Sequence, residues 1–102
     1  MEELFEVVTP LGCRVRVGRD YWDYVVSKKH PYMRDREGLV EEALRGPDEI
    51  RKSKTDQGIF LYYIRKDRLY CAVARHEDDG RGFLITAYPA DKLKEGEVIW
   101  TK

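Results

Sequence analysis

The alternation of apolar and polar residues predicts a β-hairpin at the start of the chain. Residues 4–9 are rich in Phe and Val, and Cys13, Val15 and Val17 alternate with polar neighbours. Strict alternation of this kind is typical of a strand with one buried face. Residues 10–12 read Pro-Leu-Gly, which is a turn signal. The two strands are therefore expected to pair with each other.

The next segment has the periodicity of an amphipathic helix. Asp20 is suited to its N-cap, and Pro31 marks its end. Lys28, Lys29 and His30 suit the negative C-terminal end of the helix dipole. The apolar positions fall on one helical face, which places His30 at the end of the buried stripe. These positions are Tyr21, Trp22, Val25 and Val26.

A second helix follows with the same spacing of apolar residues. Asp35 is suited to its N-cap, and Gly46 with Pro47 ends it. Its acidic residues fall on the opposite, solvent-facing side. The predicted buried face consists of Leu39, Val40, Ala43 and Leu44.

From Glu49 onward the apolar period changes from helical to two, which predicts strands. A run of helices followed by a run of strands favours an α+β fold. We expect one domain over residues 1–102, with an N-terminal β-hairpin and two helices packed on a four- to five-stranded antiparallel sheet. The predicted strands cover residues 49–53, 59–64, 69–74, 83–88 and 98–100.

Composition limits the classes of function. The 102 residues include 19 basic and 19 acidic side chains, so the formal net charge is zero. This balance counts against strong nonspecific binding of nucleic acid but leaves room for a local basic groove. No apolar run is long enough for a membrane span, and the acidic N-terminus lacks the apolar core of a signal peptide. Cys13 and Cys71 match no metal-ligand spacing, so we expect a cytoplasmic protein with two buried thiols.

Two features of the sequence favour chemistry at a phosphate. His30 carries the side chain whose ordinary pKa, about 6.5, suits proton transfer near neutrality. Residues 51–54 read Arg-Lys-Ser-Lys, and such a basic run can hold phosphates. Each feature has a structural alternative. His30 suits a helix C-terminus, and a charged edge strand resists aggregation.

A third feature is the pair of hydroxyls in Thr86 and Tyr88. The two residues are two positions apart in a predicted strand, so they are expected on one face, opposite Phe83, Ile85 and Ala87. Neighbouring hydroxyls on a sheet can bind a phosphate. They are equally compatible with ordinary β-forming residues at the end of a strand.

These segments together resemble the phage-associated nuclease-like families of the barnase–EndoU–colicin–RelE (BECR) group. The resemblance covers about residues 21–100 and leaves residues 1–18 as an added N-terminal hairpin. It lies in His30-Pro31, in Pro-Asp-Glu-Ile-Arg-Lys-Ser at residues 47–53 and in the paired Tyr62 and Tyr63. Its most specific part is Thr-Ala-Tyr-Pro at residues 86–89, followed by Lys, Gly and Trp.

The resemblance implies a RelE- or barnase-like fold that cleaves RNA without a metal or another cofactor. A ribose 2′-hydroxyl attacks the adjacent phosphate in that reaction, which requires an acid, a base and cations. The implied catalytic residues are His30 as acid or base, Arg51 on the phosphate, and Thr86 and Tyr88 as orienting hydroxyls. The implied substrate-binding residues are Lys52, Lys54, Tyr62 and Arg75.

The resemblance also sets expectations for partners and leaves other functions open. A toxin-like ribonuclease would act on RNA and be held by an antitoxin or immunity protein. One alternative is a noncatalytic module that binds RNA or a protein through its tyrosine-rich sheet. Another is a structural protein that forms a homodimer through the hairpin of residues 1–18. None of these readings involves a membrane.

Overall fold

The hairpin, the two helices and the later strands are present in the computed structural model, which describes residues 2–93 and 96–102. Two shorter helical segments follow α1: a π-helical turn over Val25–Lys29 (the π segment) and a 3-10 turn over Pro31–Met33. The fold is α+β, as predicted. The helices are α1 (Arg19–Tyr24) and α2 (Glu37–Arg45), and the strands are β1 (Glu3–Val8), β2 (Arg14–Gly18), β3 (Glu49–Lys52), β4 (Ile59–Arg65), β5 (Leu69–His76), β6 (Arg81–Ala90) and β7 (Glu97–Thr101).

The sheet is larger than predicted and is not purely antiparallel. Its seven strands lie in the order β1-β2-β6-β5-β4-β3-β7. The N-terminal hairpin extends the sheet because β2 pairs in parallel with β6, from Arg14 opposite Arg81 to Arg16 opposite Phe83. The last strand pairs with β3 at the far edge. The prediction of four to five antiparallel strands is therefore wrong in both strand number and direction.

The two faces of the sheet carry separate apolar clusters. The helices cover one face, where Trp22 of α1 and Leu44 of α2 pack with Tyr62, Tyr70 and other core residues. We call this the helix face. Leu61, Tyr63, Cys71 and Val73 form a smaller buried cluster on the opposite face, with Tyr88 against it. We call this the second face. The unbroken apolar runs of β4 and β5 fit burial on both sides.

Local chemistry departs from the sequence prediction at the ends of the helices. Gly18 occupies the N-cap of α1, so Asp20 lies within the first turn instead. Arg36 occupies the N-cap of α2, and Asp35 has a left-handed backbone with φ of 65°. Asp tolerates that conformation better than most residues because its short side chain can bond locally. Neither aspartate therefore has the capping position predicted for it.

A bulge in β6 changes the face on which Phe83 lies. Val73 of β5 is opposite Thr86, Ala74 is opposite Leu84 and Arg75 is opposite Phe83. Residues that are directly opposed across two strands share a face. The extra residue, Ile85, therefore places Phe83 on the second face together with Thr86 and Tyr88. Ile85 itself packs against the cluster of the second face, so the prediction that Phe83 and Ile85 lie opposite those hydroxyls is wrong, whereas Ala87 lies on the helix face as predicted.

Two further findings bear on the expected class of protein. Across residues 2–93 and 96–102, no helix has the length and apolar character that crossing a membrane requires. Cys13 and Cys71 are both buried, and neither forms a disulfide.

Candidate functional site

The end of the π segment lies against the middle of β6. The Tyr21 hydroxyl donates a hydrogen bond of 2.6 Å to the carbonyl oxygen of Ile85. The ammonium group of Lys29 lies 3.5 Å from the same oxygen. The His30 ring lies beside the Tyr88 ring, with centroids 5.4 Å apart. The Lys29 ammonium and the His30 imidazole, which are neighbours in sequence, therefore meet the distant Tyr88 phenol at residues 85–88.

The local backbone explains this meeting. β2 and β6 are paired only as far as Phe83. Beyond Phe83, the edge of β6 that faces away from β5 has α1 and the π segment beside it. The backbone N–H of His30 donates to the carbonyl of Val25 at 2.8 Å, which closes a wide π-type turn. Such single turns inside helices are frequent at functional sites. Pro31 follows at once and fixes where the helical segment ends.

Thr86 contributes a hydroxyl with no hydrogen-bond partner. Its Oγ1 is buried, and no partner for it is present among residues 2–93 and 96–102. Burying a hydroxyl without a hydrogen bond costs about 1–3 kcal/mol in proteins. Such an arrangement needs an explanation, and a functional site is one of the standard ones. Thr86 lies on the second face, two residues from Tyr88.

Tyr88 is held in its protonated form. Burial raises the pKa of the Tyr88 phenol well above its ordinary value, and its charge interaction and hydrogen bond with the Cys71 thiol act in the same direction. A protonated phenol can donate a hydrogen bond to an anion. The side chain is half-buried and packs against the apolar cluster of the second face. Tyr88 is therefore suited to orient a phosphate rather than to act as a base.

Arg51 does not join this group. It lies on β3, which is separated from β6 by β4 and β5, so its strand is about 14 Å from Thr86 and Tyr88 at the usual strand spacing. Its guanidinium forms an ion pair with Glu49 on the same strand. The structure brings His30, Thr86 and Tyr88 together but leaves Arg51 on the far side of the second face.

The two predicted lysines lie farther from the site. Lys52 is opposite Phe60 in the ladder between β3 and β4, which puts it on the helix face and not on the face of Thr86. Lys54 is exposed in the loop after β3. Neither residue is close in the sheet to residues 85–88 of β6.

Arg75 is the predicted binding residue that shares the face of the site. It is opposite Phe83 and lies two positions from Val73, the partner of Thr86. Its guanidinium bonds to the carboxylate of Asp56 at 2.8 Å. The backbone N–H of Gly58 and this guanidinium together lower the pKa of Asp56. Arg75 is therefore a cation near the site that is already held by a carboxylate.

Tyr62 has a structural place instead of a substrate contact. It is 0% exposed and belongs to the helix face. Its hydroxyl lies 3.1 Å from Oγ1 of Thr9 and 2.7 Å from Nε2 of His76. No RNA base can stack on a ring that is enclosed in the core.

His76 is a half-buried titratable group that sequence reasoning did not single out. Its ring stacks on Phe60, with centroids 3.9 Å apart, and bonds to the Tyr62 hydroxyl. Burial lowers the pKa of His76 to about 4. A period-two count along β5 puts His76 on the same face as Ala72 and Ala74, and that count was the signal for its burial.

Lys29 is the second residue that sequence reasoning missed at the site. The sequence predicts only that Lys29, like Lys28, is a charge at the C-terminal end of a helix. In the structure Lys29 belongs to the π turn, and its ammonium lies at the carbonyl oxygen of Ile85. Its ammonium also lies 5.9 Å and 5.6 Å from the ring centroids of Tyr21 and Tyr24. Contact with two aromatic faces holds this cation near β6.

Comparison with known proteins adds no assignment to this geometry. Within the described ranges, no group of three His, Cys, Asp or Glu side chains could hold a metal ion. No protein-family model, no curated protein and no solved structure matches the chain. The contacts between the π segment and β6 are therefore the features of this chain that bear on its function.

Proposed function

We propose that this protein is a metal-independent ribonuclease of the cytoplasm. The observation that supports the proposal is the contact of Lys29 and His30 with β6 beside Thr86 and Tyr88. A cation, a proton-transfer group and two hydroxyls are the parts that attack by a ribose 2′-hydroxyl needs. The buried thiols Cys13 and Cys71, which form no disulfide, suit a reducing compartment.

Each group has a defined task in the proposed reaction. His30 takes the proton from the 2′-hydroxyl, whose oxygen then forms a bond to the adjacent phosphorus. The bond from phosphorus to the 5′-oxygen breaks, solvent protonates that oxygen, and a 2′,3′-cyclic phosphate remains. Lys29 stabilises the charge on the phosphoryl oxygens, and the Tyr88 hydroxyl exchanges its hydrogen bond with Cys71 for one to a phosphoryl oxygen.

Thr86 supplies the second hydroxyl after a local adjustment. Its Oγ1 is enclosed by the protein, so contact with a phosphoryl oxygen requires side chains at the site to move. Rotamer changes of this size are common on binding. Catalytic contacts are also often looser before substrate arrives than in the transition state.

Cleavage of RNA in the presence of EDTA tests the proposal. Purified protein is incubated with tRNA and total RNA, and the ends of the products are analysed. We expect cyclic phosphate ends from the wild type and a loss of about 100-fold or more in His30→Ala, as is typical for a lost acid–base group. Lys28→Ala, which alters the neighbouring exposed lysine, is the matched control. Wild-type protein that cleaves none of these RNAs contradicts the proposal.

A noncatalytic binding module is the second candidate. The zero net charge and the ion pair between Arg51 and Glu49 favour it, because both limit the cationic surface for a charged transition state. If the protein is such a module, the wild type and the His30→Ala variant should bind RNA or a protein ligand with the same affinity. Binding that does not depend on salt would indicate a protein ligand.

A further inference from the structure

We propose that the substrate is single-stranded RNA that lies along β6, with one base in a cavity beside Phe83 and another on Tyr32. This inference rests on the proposed function and names its substrate class. It follows from two aromatic positions on either side of His30, each accompanied by arginine side chains. Neither position is part of the group that acts on the phosphate.

The first position is a cavity of about 500 Å³ at the point where β2 and β6 separate. Phe83 and Tyr21 line it and are 42% and 37% exposed. Val17 and Leu84 form part of its wall and are 1% and 2% exposed. The volume falls in the range of about 300–1,000 Å³ found for small-ligand pockets. An aromatic cavity of this size suits a flat nucleobase.

Charged groups at this cavity are compatible with a nucleotide. Glu3 is paired with Arg16 at 3.1 Å, and Glu2 is paired with Arg19 at 3.5 Å. These pairs reduce the repulsion that the carboxylates would exert on a phosphate. The carboxylate oxygens can also accept hydrogen bonds from the amino groups of a base, whereas an aliphatic ligand would leave them unused.

Tyr21 links the cavity to the proposed catalytic site. Tyr21 lines the cavity, and its hydroxyl bonds to the same Ile85 oxygen that Lys29 approaches. The bulge at Ile85 places Phe83 on the face of Thr86 and Tyr88. A strand bound with its phosphate at His30 therefore has this cavity as the next surface along β6.

The second position is the exposed ring of Tyr32, two residues beyond His30. It is 46% exposed. The guanidinium carbons of Arg36 and Arg68 lie 4.6 Å and 5.6 Å from the ring centroid. Arg68 also reaches Asp91, just past the end of β6, at 3.7 Å. Both guanidiniums lie over the ring, so a base can stack on this arginine–tyrosine layer while the cations hold the neighbouring phosphate.

These two positions favour a single strand over a duplex. A base must leave its pair and its stack to enter the cavity, and this costs least free energy when the strand is already unpaired. The separation from Phe83 to Tyr88 is about 17 Å along an extended strand, so more than one nucleotide fits between the cavity and the proposed phosphate site. Unpaired RNA can follow this path with its bases turned toward the protein.

Fluorescence anisotropy with a labelled 12-nucleotide 2′-O-methyl RNA tests the inference. This RNA cannot be cleaved by 2′-attack, so binding is measured apart from catalysis. We expect the single strand to bind at least about tenfold more tightly than its duplex. Phe83→Ala and Tyr32→Ala should each weaken binding about 5- to 100-fold, as is usual for loss of base stacking. Phe83→Trp should bind as the wild type does, and Val8→Ala, at an exposed site on β1, is the control.

The outcomes separate this inference from the proposed function. Equal binding of duplex and single strand overturns the inference, as does unchanged binding by Phe83→Ala and Tyr32→Ala. Failure of the RNA to bind at all also overturns the inference and favours the module that binds a protein. Binding that depends on both rings without any cleavage of natural RNA supports the substrate class but contradicts the ribonuclease proposal. Cleavage that is unchanged in Phe83→Ala and Tyr32→Ala supports the ribonuclease proposal but contradicts the proposed base-binding positions.

Discussion

The rings of His30 and Tyr88 lie beside each other, with centroids 5.4 Å apart and planes tilted by 35°. His30 ends the helical segment that begins with α1, and Tyr88 lies near the end of β6. The contact therefore ties the N-terminal helical region to the sheet next to an enclosed hydroxyl. It is the geometric basis of the proposed phosphate site.

Removal of the Thr86 hydroxyl separates activity from stability. Thr86→Val keeps the shape of the side chain and eliminates a buried oxygen that lacks a partner. We expect the free energy of unfolding to stay the same or rise by about 1 kcal/mol. RNA cleavage should fall by about tenfold or more. Urea unfolding and initial cleavage rates measure the two effects, and a less stable variant with full activity would show that the hydroxyl is structural.

Lys29 and Arg51 differ in their expected importance. Lys29 lies at β6, whereas Arg51 forms its ion pair with Glu49 on β3, three strands away from β6. Lys29→Gln should reduce kcat/KM at least about tenfold, which corresponds to about 1.4 kcal/mol of lost transition-state stabilisation. Arg51→Gln serves as its counterpart and should change kcat/KM by less than about threefold. The opposite ranking of the two variants would move the phosphate site to β3.

The half-buried His76 makes stability depend on pH. Its pKa is about 4 in the folded protein and has the ordinary value of about 6.5 in the unfolded chain. The unfolded state therefore binds more protons between these values, so stability is complete above pH 6.5 and falls as the pH drops toward 4. We expect the free energy of unfolding to decrease by about 2 kcal/mol between pH 7.5 and pH 5.

A substitution at the same position checks the origin of that pH dependence. Glutamine does not titrate and can still bond to the hydroxyl of Tyr62. The His76→Gln variant should therefore lose most of the change between pH 7.5 and pH 5 in urea unfolding. If the variant keeps the full change, other groups are responsible.

Local patterns in the sequence were sufficient to predict the elements but not how the sheet is assembled. Alternation at Cys13, Val15 and Val17 indicates a half-buried strand, and the structure confirms one over Arg14–Gly18. Alternation does not reveal which strand lies alongside. The parallel pairing of β2 with β6 depends on long-range contacts, as does the placement of β7 beside β3. Neither pairing leaves a signal in neighbouring residues.

The candidate site was predictable only where strict periodicity holds. Thr86 and Tyr88 share a face, as their spacing predicts. The bulge at Ile85 breaks the period of two, so the sequence put Phe83 on the wrong side. The π turn likewise shifts Lys29 from its α-helical position toward β6. One inserted residue in a strand or helix redirects side chains without a clear mark in composition.

The central claim is that His30, Thr86 and Tyr88 act on one phosphate. Titration of isotope-labelled protein with a nucleoside 3′-monophosphate, followed by NMR, tests it independently of cleavage. We expect the ring signals of His30 and the backbone signals of Thr86 and Tyr88 to shift together with a single dissociation constant. Unchanged signals at these three residues, or shifts centred on Arg51, would contradict the claim.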